Sequence, residues 1–147
     1  MRALRIDPDA TVTDINLPES DAQSAIRDHV GSPDAVDQGV YHRRAVLHLH
    51  GSGRVIGLDA NLAAWALASA WRGTPLYPLH GTVVVTGRGQ DGGVNPLDDE
   101  LAQHGHTVAQ TVRDTLATWR IRPPASNHAA VDELLAYATR DITPPRT

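Results

Sequence analysis

The sequence predicts an α+β fold in which a small, mostly antiparallel sheet packs against a central helix, with two further helices at the C-terminal end. Short apolar runs that alternate with polar residues dominate the first part of the chain, as in hairpin strands. The last third instead carries apolar residues at helical spacing. With 147 residues, the chain has the length of one domain. We therefore expect a single domain over residues 1–147, with an α+β core over 1–100 and a helical extension over 104–142.

The N-terminal part predicts a hairpin followed by a helix. Residues 2–6 and 11–17 alternate in hydropathy on either side of a turn that contains Pro8, which is the pattern of two paired strands. A helix then begins near residue 20 and ends at Gly31, since glycine is the common residue just past a helix end.

The middle of the chain predicts a second hairpin and a buried strand. Residues 34–43 are expected to be a linker or a weak edge strand. Residues 45–50 and 54–58 are β-rich runs separated by a glycine-rich turn, which predicts a hairpin. Residues 82–86 contain three consecutive valines and are typical of a buried strand. A long loop is expected from 87 to about 99.

Three helices complete the prediction. Asp59 is expected to cap a helix over residues 60–72, whose apolar residues cover so much of its circumference that it should lie at the centre of the core. Two C-terminal helices follow, and residues 143–147 form a frayed tail. The apolar positions of the two C-terminal helices are Val108, Val112, Leu116 and Trp119, then Val131, Leu134, Leu135 and Ala138. They predict packing either on the chain's own sheet or on a second copy in a homodimer.

Composition excludes several classes of function. Cysteine is absent, which excludes disulfides, thiolate zinc sites, iron–sulfur clusters and a cysteine nucleophile. The chain has 13 basic residues, all arginine, and 17 acidic residues, which gives a net charge of −4. The strongly basic composition that is typical of nucleic-acid-binding domains is therefore absent. No apolar run approaches the roughly 20 residues of a membrane helix, and no signal peptide is visible. We expect a cytoplasmic protein without a cofactor.

Two histidines suggest a metal site. On a strand, His48 and His50 project from the same face, so they can offer two imidazoles to one zinc ion. The alternative is that Leu47 and Leu49 face the core, while both histidines lie on the solvent or interface side. The spacing identifies no third ligand.

A glycine-rich segment matches a nucleotide-binding pattern only in part. Residues 87–92 read G-x-G-x-x-G after a strand, but Pro96 follows closely, so no helix can open at these glycines to meet a pyrophosphate. A mobile glycine-rich loop is the preferred interpretation. The acidic run 98–100 that follows is expected to be a solvated turn or a helix N-cap.

Two pairs of arginines suggest weak nucleic-acid binding. Arg43 and Arg44 can contact phosphates, and so can Arg120 and Arg122 beside Trp119, on which a base can stack. Because the net charge is negative, a solvated edge is favoured and nucleic acid is not the expected partner.

The order of these segments resembles the domain-of-unknown-function family numbered 3846, over about residues 1–100. The matching segments are residues 1–6, the helix ending at Gly31, residues 47–57, residues 57–61 leading into an alanine-rich helix, and residues 81–87. The resemblance implies a small protein of actinobacteria, bacteriophages or plasmids without an established catalytic role. In that pattern Asn61 is the notable polar residue, since its amide can cap the helix or bind a ligand.

These observations leave enzymatic activity open but favour a non-enzymatic binding or regulatory protein, associated with mobile elements or phages, that acts through protein–protein contact. Leu116, Trp119, Leu134 and Leu135 are candidate oligomer contacts. The alternatives are a zinc or small-molecule site on the strand of His48 and His50, and single-stranded nucleic-acid binding. The candidate binding residues are Arg44, His48, His50, Asn61 and Trp119.

Overall fold

A computed structural model describes residues 1–33 and 36–143. The first two residues of the predicted linker, 34 and 35, and most of the predicted tail, 144–147, lie outside the described residues. The described part contains strands β1 Arg2–Ile6, β2 Val12–Asn16, β3 Val36–His42, β4 Ala45–His50, β5 Val83–Arg88 and β6 Val94–Asn95, and helices α1 Ala22–Val30, α2 Leu62–Arg72, α3 Asp99–Ile121 and α4 Asn127–Ile142.

The strands form one sheet in the order β2-β1-β5-β4-β3, and β6 pairs with the end of β5. Every pairing among the described strands is antiparallel. The predicted α+β class is therefore confirmed. None of the described helices combines the length and the apolar composition that crossing a bilayer requires.

The N-terminal hairpin and the helix that follows it are confirmed. Arg2 pairs with Asn16 and Ile6 with Val12, and the turn closes through a bond from the Ala10 amide to the Asp7 carbonyl. Helix α1 ends at Gly31, which adopts a left-handed conformation with φ of 77°, as a glycine at this position readily does.

The second predicted hairpin is wrong. β4 forms as expected, but residues 51–57 fold into successive turns, closed for example by a bond from the Ile56 amide to the Ser52 carbonyl. β4 pairs instead with β3 on one side and β5 on the other. Since both edges of β4 are occupied, residues 54–58 have no free edge to pair with, and their β propensity is overridden. Of the two possibilities for residues 34–43, the edge strand is the one observed.

The sheet is covered on both faces. One face packs against α2, α3 and α4 in the main hydrophobic core, and the other packs against α1 through a smaller cluster. The buried residues of this smaller cluster are Ala3, Leu17, Ala22, Ile26, Val30 and Val84.

Helix α2 is central to the main core, as predicted. Residues 63–70 are all buried, and six of the eight are alanine or serine, whose small side chains let α3 and α4 approach closely. The cap of α2 differs from the prediction. Asn61 is the N-cap, and its side-chain oxygen accepts a bond from the Ala64 amide. Asp59 lies two residues too early for this role.

The two C-terminal helices form as predicted, and their apolar sides are largely covered within the chain. Leu134 is only 1% exposed, because α4 packs on α2 and α3. Leu135 and Trp119 are partly buried against the same core. Leu134 is therefore not an accessible oligomer contact. Leu116 keeps 38% of its surface exposed. Asp98 caps α3 by accepting a bond from the Leu101 amide, which confirms the capping role predicted for the acidic run.

The predicted long loop over 87–99 is wrong. β5 continues to Arg88, a tight turn follows, β6 pairs back onto β5, and α3 begins at Asp99. The turn is closed by a bond of 2.9 Å from the Gly89 amide to the Gly93 carbonyl. Glycine makes this path possible, since Gly87 lies directly beneath the backbone of Asn95 and Pro96.

This close approach gives a test of the β5–β6 connection. In the Gly87→Ala variant, the new methyl group would lie 2.9 Å from the Asn95 carbonyl oxygen and clash with that of Pro96, so we expect a loss of about 2 kcal/mol in the free energy of unfolding, measured by urea denaturation. Gly51→Ala is the control. Gly51 is exposed and lacks a positive φ, and its new methyl group would come closest to the side chain of Asp37, at 3.3 Å, so its loss should stay within about 0.5 kcal/mol. Equal stability of the two variants would contradict the close approach.

Candidate functional site

A cavity of about 480 Å³ lies between α2, α3, α4 and the segment that follows α2. Its size falls within the range of small-ligand sites. Its main apolar walls are formed by Trp65, Leu76, Leu79, Trp119, Val131 and Leu134. Asn61 also lines it, so the cavity brings together two of the predicted binding residues, Asn61 and Trp119.

The segment 75–79 forms one wall, and α2 holds it in place. The Trp65 indole donates a bond of 2.8 Å to the Leu76 carbonyl, and the Leu76 amide donates one of 3.2 Å to the Ser69 hydroxyl. At the other end, the backbone N–H of Asn61 donates a bond of 2.7 Å to the Leu79 carbonyl. Because both ends of the segment are bonded to α2 and its cap, the cavity is preformed.

The Asn61 side chain joins three elements. Its oxygen accepts the bond from the Ala64 amide at 3.1 Å, and its nitrogen donates to the carbonyls of Ile6, at 2.9 Å, and Gly81, at 2.8 Å. The residue is fully buried. Both amide hydrogens are therefore used within the protein, and Asn61 shapes the cavity wall by fixing α2 against β1 and the start of β5.

Trp119 lies near the end of α3 and contributes its ring to the cavity. Its indole nitrogen is buried and has no hydrogen-bond partner among the described residues. An unsatisfied buried donor is unfavourable by roughly 1–3 kcal/mol. The side chain is thus placed by its apolar contacts and not by a hydrogen bond.

His48 and His50 lie on one face of β4, and Leu47 and Leu49 lie on the main-core face, as expected from the alternation. His48 is only 1% exposed, because α1 packs against β4 and β5 on this face, so its expected position on the solvent or interface side is wrong. The Thr86 hydroxyl donates to the Gly87 carbonyl and accepts from His48 Nε2 at 2.9 Å. His48 Nδ1 is buried without a partner among the described atoms. Burial lowers the pKa of His48 to about 4.

His50 lies at the end of β4 and is partly exposed. Its Nδ1 accepts a bond of 3.0 Å from the Ser52 amide. Over residues 1–33 and 36–143, no group of three or more histidine and acidic side chains is placed to hold a metal ion. The geometry therefore lends no support to a zinc site on this strand.

Arg44 is engaged in an ion pair. Its guanidinium donates a bond of 2.7 Å to Asp98 and lies 3.7 Å from Glu100, so it links the β3–β4 turn to the start of α3. Nearby, the Trp71 indole donates a bond of 3.2 Å to His104 Nδ1. Burial lowers the pKa of His104. These contacts tie α3 to α2 and the sheet.

The predicted nucleic-acid surface is not continuous. Arg44 pairs with Asp98 at the first turn of α3, whereas Arg120 lies in its last turn. The rise of the helix separates these positions by about 33 Å. Trp119 faces the cavity. The two arginine pairs and the aromatic ring therefore do not form one patch.

The cavity was not predicted from the sequence, because the wall formed by residues 75–79 has no regular secondary structure. Residues 75–79 read Pro-Leu-Tyr-Pro-Leu, and two leucines between prolines cannot continue a helix but can still be buried. That combination was the available signal. No protein-family model, curated protein or solved structure matches this chain.

The junction at Asn61 can be tested with two substitutions that separate its roles. Asn61→Ala removes the cap and both bonds to buried carbonyls, so we expect a loss of about 3 kcal/mol in the free energy of unfolding. Asn61→Asp keeps the cap acceptor but turns a carboxylate toward the two carbonyl oxygens, and should be destabilised as much.

Urea denaturation measures both changes. The control is Asn127→Ala at the exposed first residue of α4, which should change stability by no more than about 0.5 kcal/mol. An Asn61→Asp variant as stable as the wild type would show that the two carbonyl bonds contribute nothing.

The buried His48 makes stability depend on pH. Its folded pKa of about 4 lies below its ordinary value of 6.5, so the unfolded chain binds a proton first as the pH falls, and stability is lost between about pH 6.5 and 4. From pH 7.5 to 5 this loss is about 2 kcal/mol.

His48→Leu should remove that part of the pH dependence, measured by urea denaturation at several pH values, whereas His128→Leu should retain it, because His128 is exposed. His42 and His104, whose pKa values are also lowered by burial, remain in both variants. If His48→Leu and the wild type lose equal stability between pH 7.5 and 5, the prediction that His48 is buried in its neutral form is wrong.

Proposed function

We propose that this chain is a non-enzymatic binding or regulatory protein that acts through contact with a protein partner, and that the apolar cavity receives an apolar side chain of that partner. The observation that carries this proposal is the chemistry of the lining. The residues that line the cavity include no acidic, basic, histidine, hydroxyl or thiol side chain. Acid–base or nucleophilic catalysis needs such groups, so the cavity is suited to binding.

The surface beside the cavity supports a protein occupant. Leu116 lies three residues before Trp119 on the same side of α3 and is partly exposed. An apolar cavity with apolar surface next to it is the arrangement in which a large anchor residue of a partner contributes most of the binding energy.

The association with phages or plasmids is a separate part of the proposal. It depends on the family resemblance of residues 1–100 and on no feature of the cavity. The cavity test below is therefore independent of it.

Filling the cavity provides the test. Ala130 lines the cavity from α4, whereas Ala136 lies on the exposed side of the same helix. The probes are peptides with an aromatic or leucine anchor, selected from a random library on the wild-type protein. We expect these peptides to bind the Ala136→Phe variant as tightly as the wild type. Ala130→Phe should bind them at least about ten-fold more weakly.

Intrinsic fluorescence offers a direct readout, because Trp65 and Trp119 both line the cavity. Thermal melting of the two variants checks that each is folded. A selection that yields no binding peptide, or peptides whose affinity is unchanged by Ala130→Phe, would contradict the proposed role of the cavity.

A further inference from the structure

A second, polar cleft of about 420 Å³ lies at the end of the sheet where β5 turns into β6. It is lined by Gln38, Val40, Arg43, Val46, Arg88 and the turn 89–93. Val46 and Arg88 alternate with Leu47 and Gly87 along their strands, so they lie on the face that carries α1 and not on the main-core face. α1 does not cover this end of the face, and Val40 is 41% exposed.

Two arginines line this cleft without an ion-pair partner among the described residues. Arg43 comes from the β3–β4 turn and Arg88 from the end of β5, and both are exposed. Within the described ranges neither forms an ion pair, whereas their neighbour Arg44 is paired with Asp98. The cleft therefore presents two guanidinium groups that are available to an anion.

The glycine turn forms one wall of the cleft. Gly89, Gly92 and Gly93 carry no side chains, so a ligand can approach the backbone closely. The turn is tight, since a methyl group at Gly89 would lie only 2.6 Å from the Gly93 carbonyl oxygen. The G-x-G-x-x-G pattern of the sequence thus builds a turn beside two arginines. No helix opens there, because α3 begins only at Asp99.

We infer that this cleft binds a phosphate group, carried either by a small phosphate ester or by the backbone of a single-stranded nucleic acid. The planar guanidinium fork matches phosphate oxygens and forms charge-assisted bonds with them. Asp91 is the one acidic residue in the lining, and its carboxylate opposes an anion. This site is separate from the proposed partner cavity and lies on the opposite side of the sheet.

The presence of Asp91 makes the test two-sided. Arg43→Ala and Arg88→Ala should each weaken binding of sodium pyrophosphate about three- to five-fold, and Asp91→Asn should strengthen it by a similar factor. Asparagine suits the position, because Asp91 has a φ of 58° and asparagine tolerates this left-handed conformation. Arg27→Ala, which makes the same charge change on an exposed residue of α1 outside the cleft, should leave affinity within about two-fold.

Calorimetric titration at low salt measures these affinities, first with pyrophosphate and then with a ten-residue oligothymidylate, and thermal melting confirms that the variants fold. The expected pattern with pyrophosphate assigns a small phosphate ligand. The same pattern with the oligonucleotide alone assigns a nucleic-acid backbone, and both outcomes support the site. Absence of binding to either probe, or Arg43→Ala and Arg88→Ala variants that behave like Arg27→Ala, would overturn it.

Discussion

The side chain of Asn61 is the interaction on which the arrangement of this protein depends. Its side-chain amide caps α2 and at the same time bonds to β1 and to Gly81, two residues before β5. One buried amide therefore joins the first turn of α2 to Ile6, which is 55 residues away, and to Gly81, which is 20 residues away. Because each bond satisfies a backbone group away from water, the start of α2 has a single position relative to the sheet.

The apolar cavity beside α2 follows from that position. Helix α2 is built largely of alanine, so α3 and α4 pack close along its length. After α2 ends at Arg72, the chain returns through Pro75 and Pro78, which can neither extend the helix nor join the sheet. Large side chains such as Trp65 and Trp119 line the space that remains there. The cavity therefore arises where close helix packing meets an irregular segment.

Charge is distributed differently over the two faces of the sheet. At the start of α3, Arg44 is neutralised by Asp98 and Glu100, and the contact serves to dock the helix. At the neighbouring end of β5, Arg43 and Arg88 have no such partner among the described residues, and three of the five residues in the turn beside them are glycine. Arg43 and Arg44 are adjacent in the sequence, but Arg44 docks α3 through ion pairs, whereas Arg43 lines the polar cleft.

Local sequence patterns determined the N-terminal hairpin, the helices and the central valine strand, because each depends on periodicity and end signals within a short window. They also indicated that α2 is central, since a helix apolar on most sides has to be enclosed. The predictions that depended on local chemistry alone failed where a distant segment competed. Residues 54–58 have β propensity, but both edges of β4 were already paired.

The tertiary structure alone decided the rest. Asn61 is the cap in place of Asp59, and its side-chain nitrogen also bonds to two distant carbonyls. His48 became buried because α1 folds back over its strand, which alternation along one strand does not reveal. The cavity and the phosphate cleft each combine residues that are far apart in sequence. Their membership follows from strand order and helix packing, which no local window of the sequence contains.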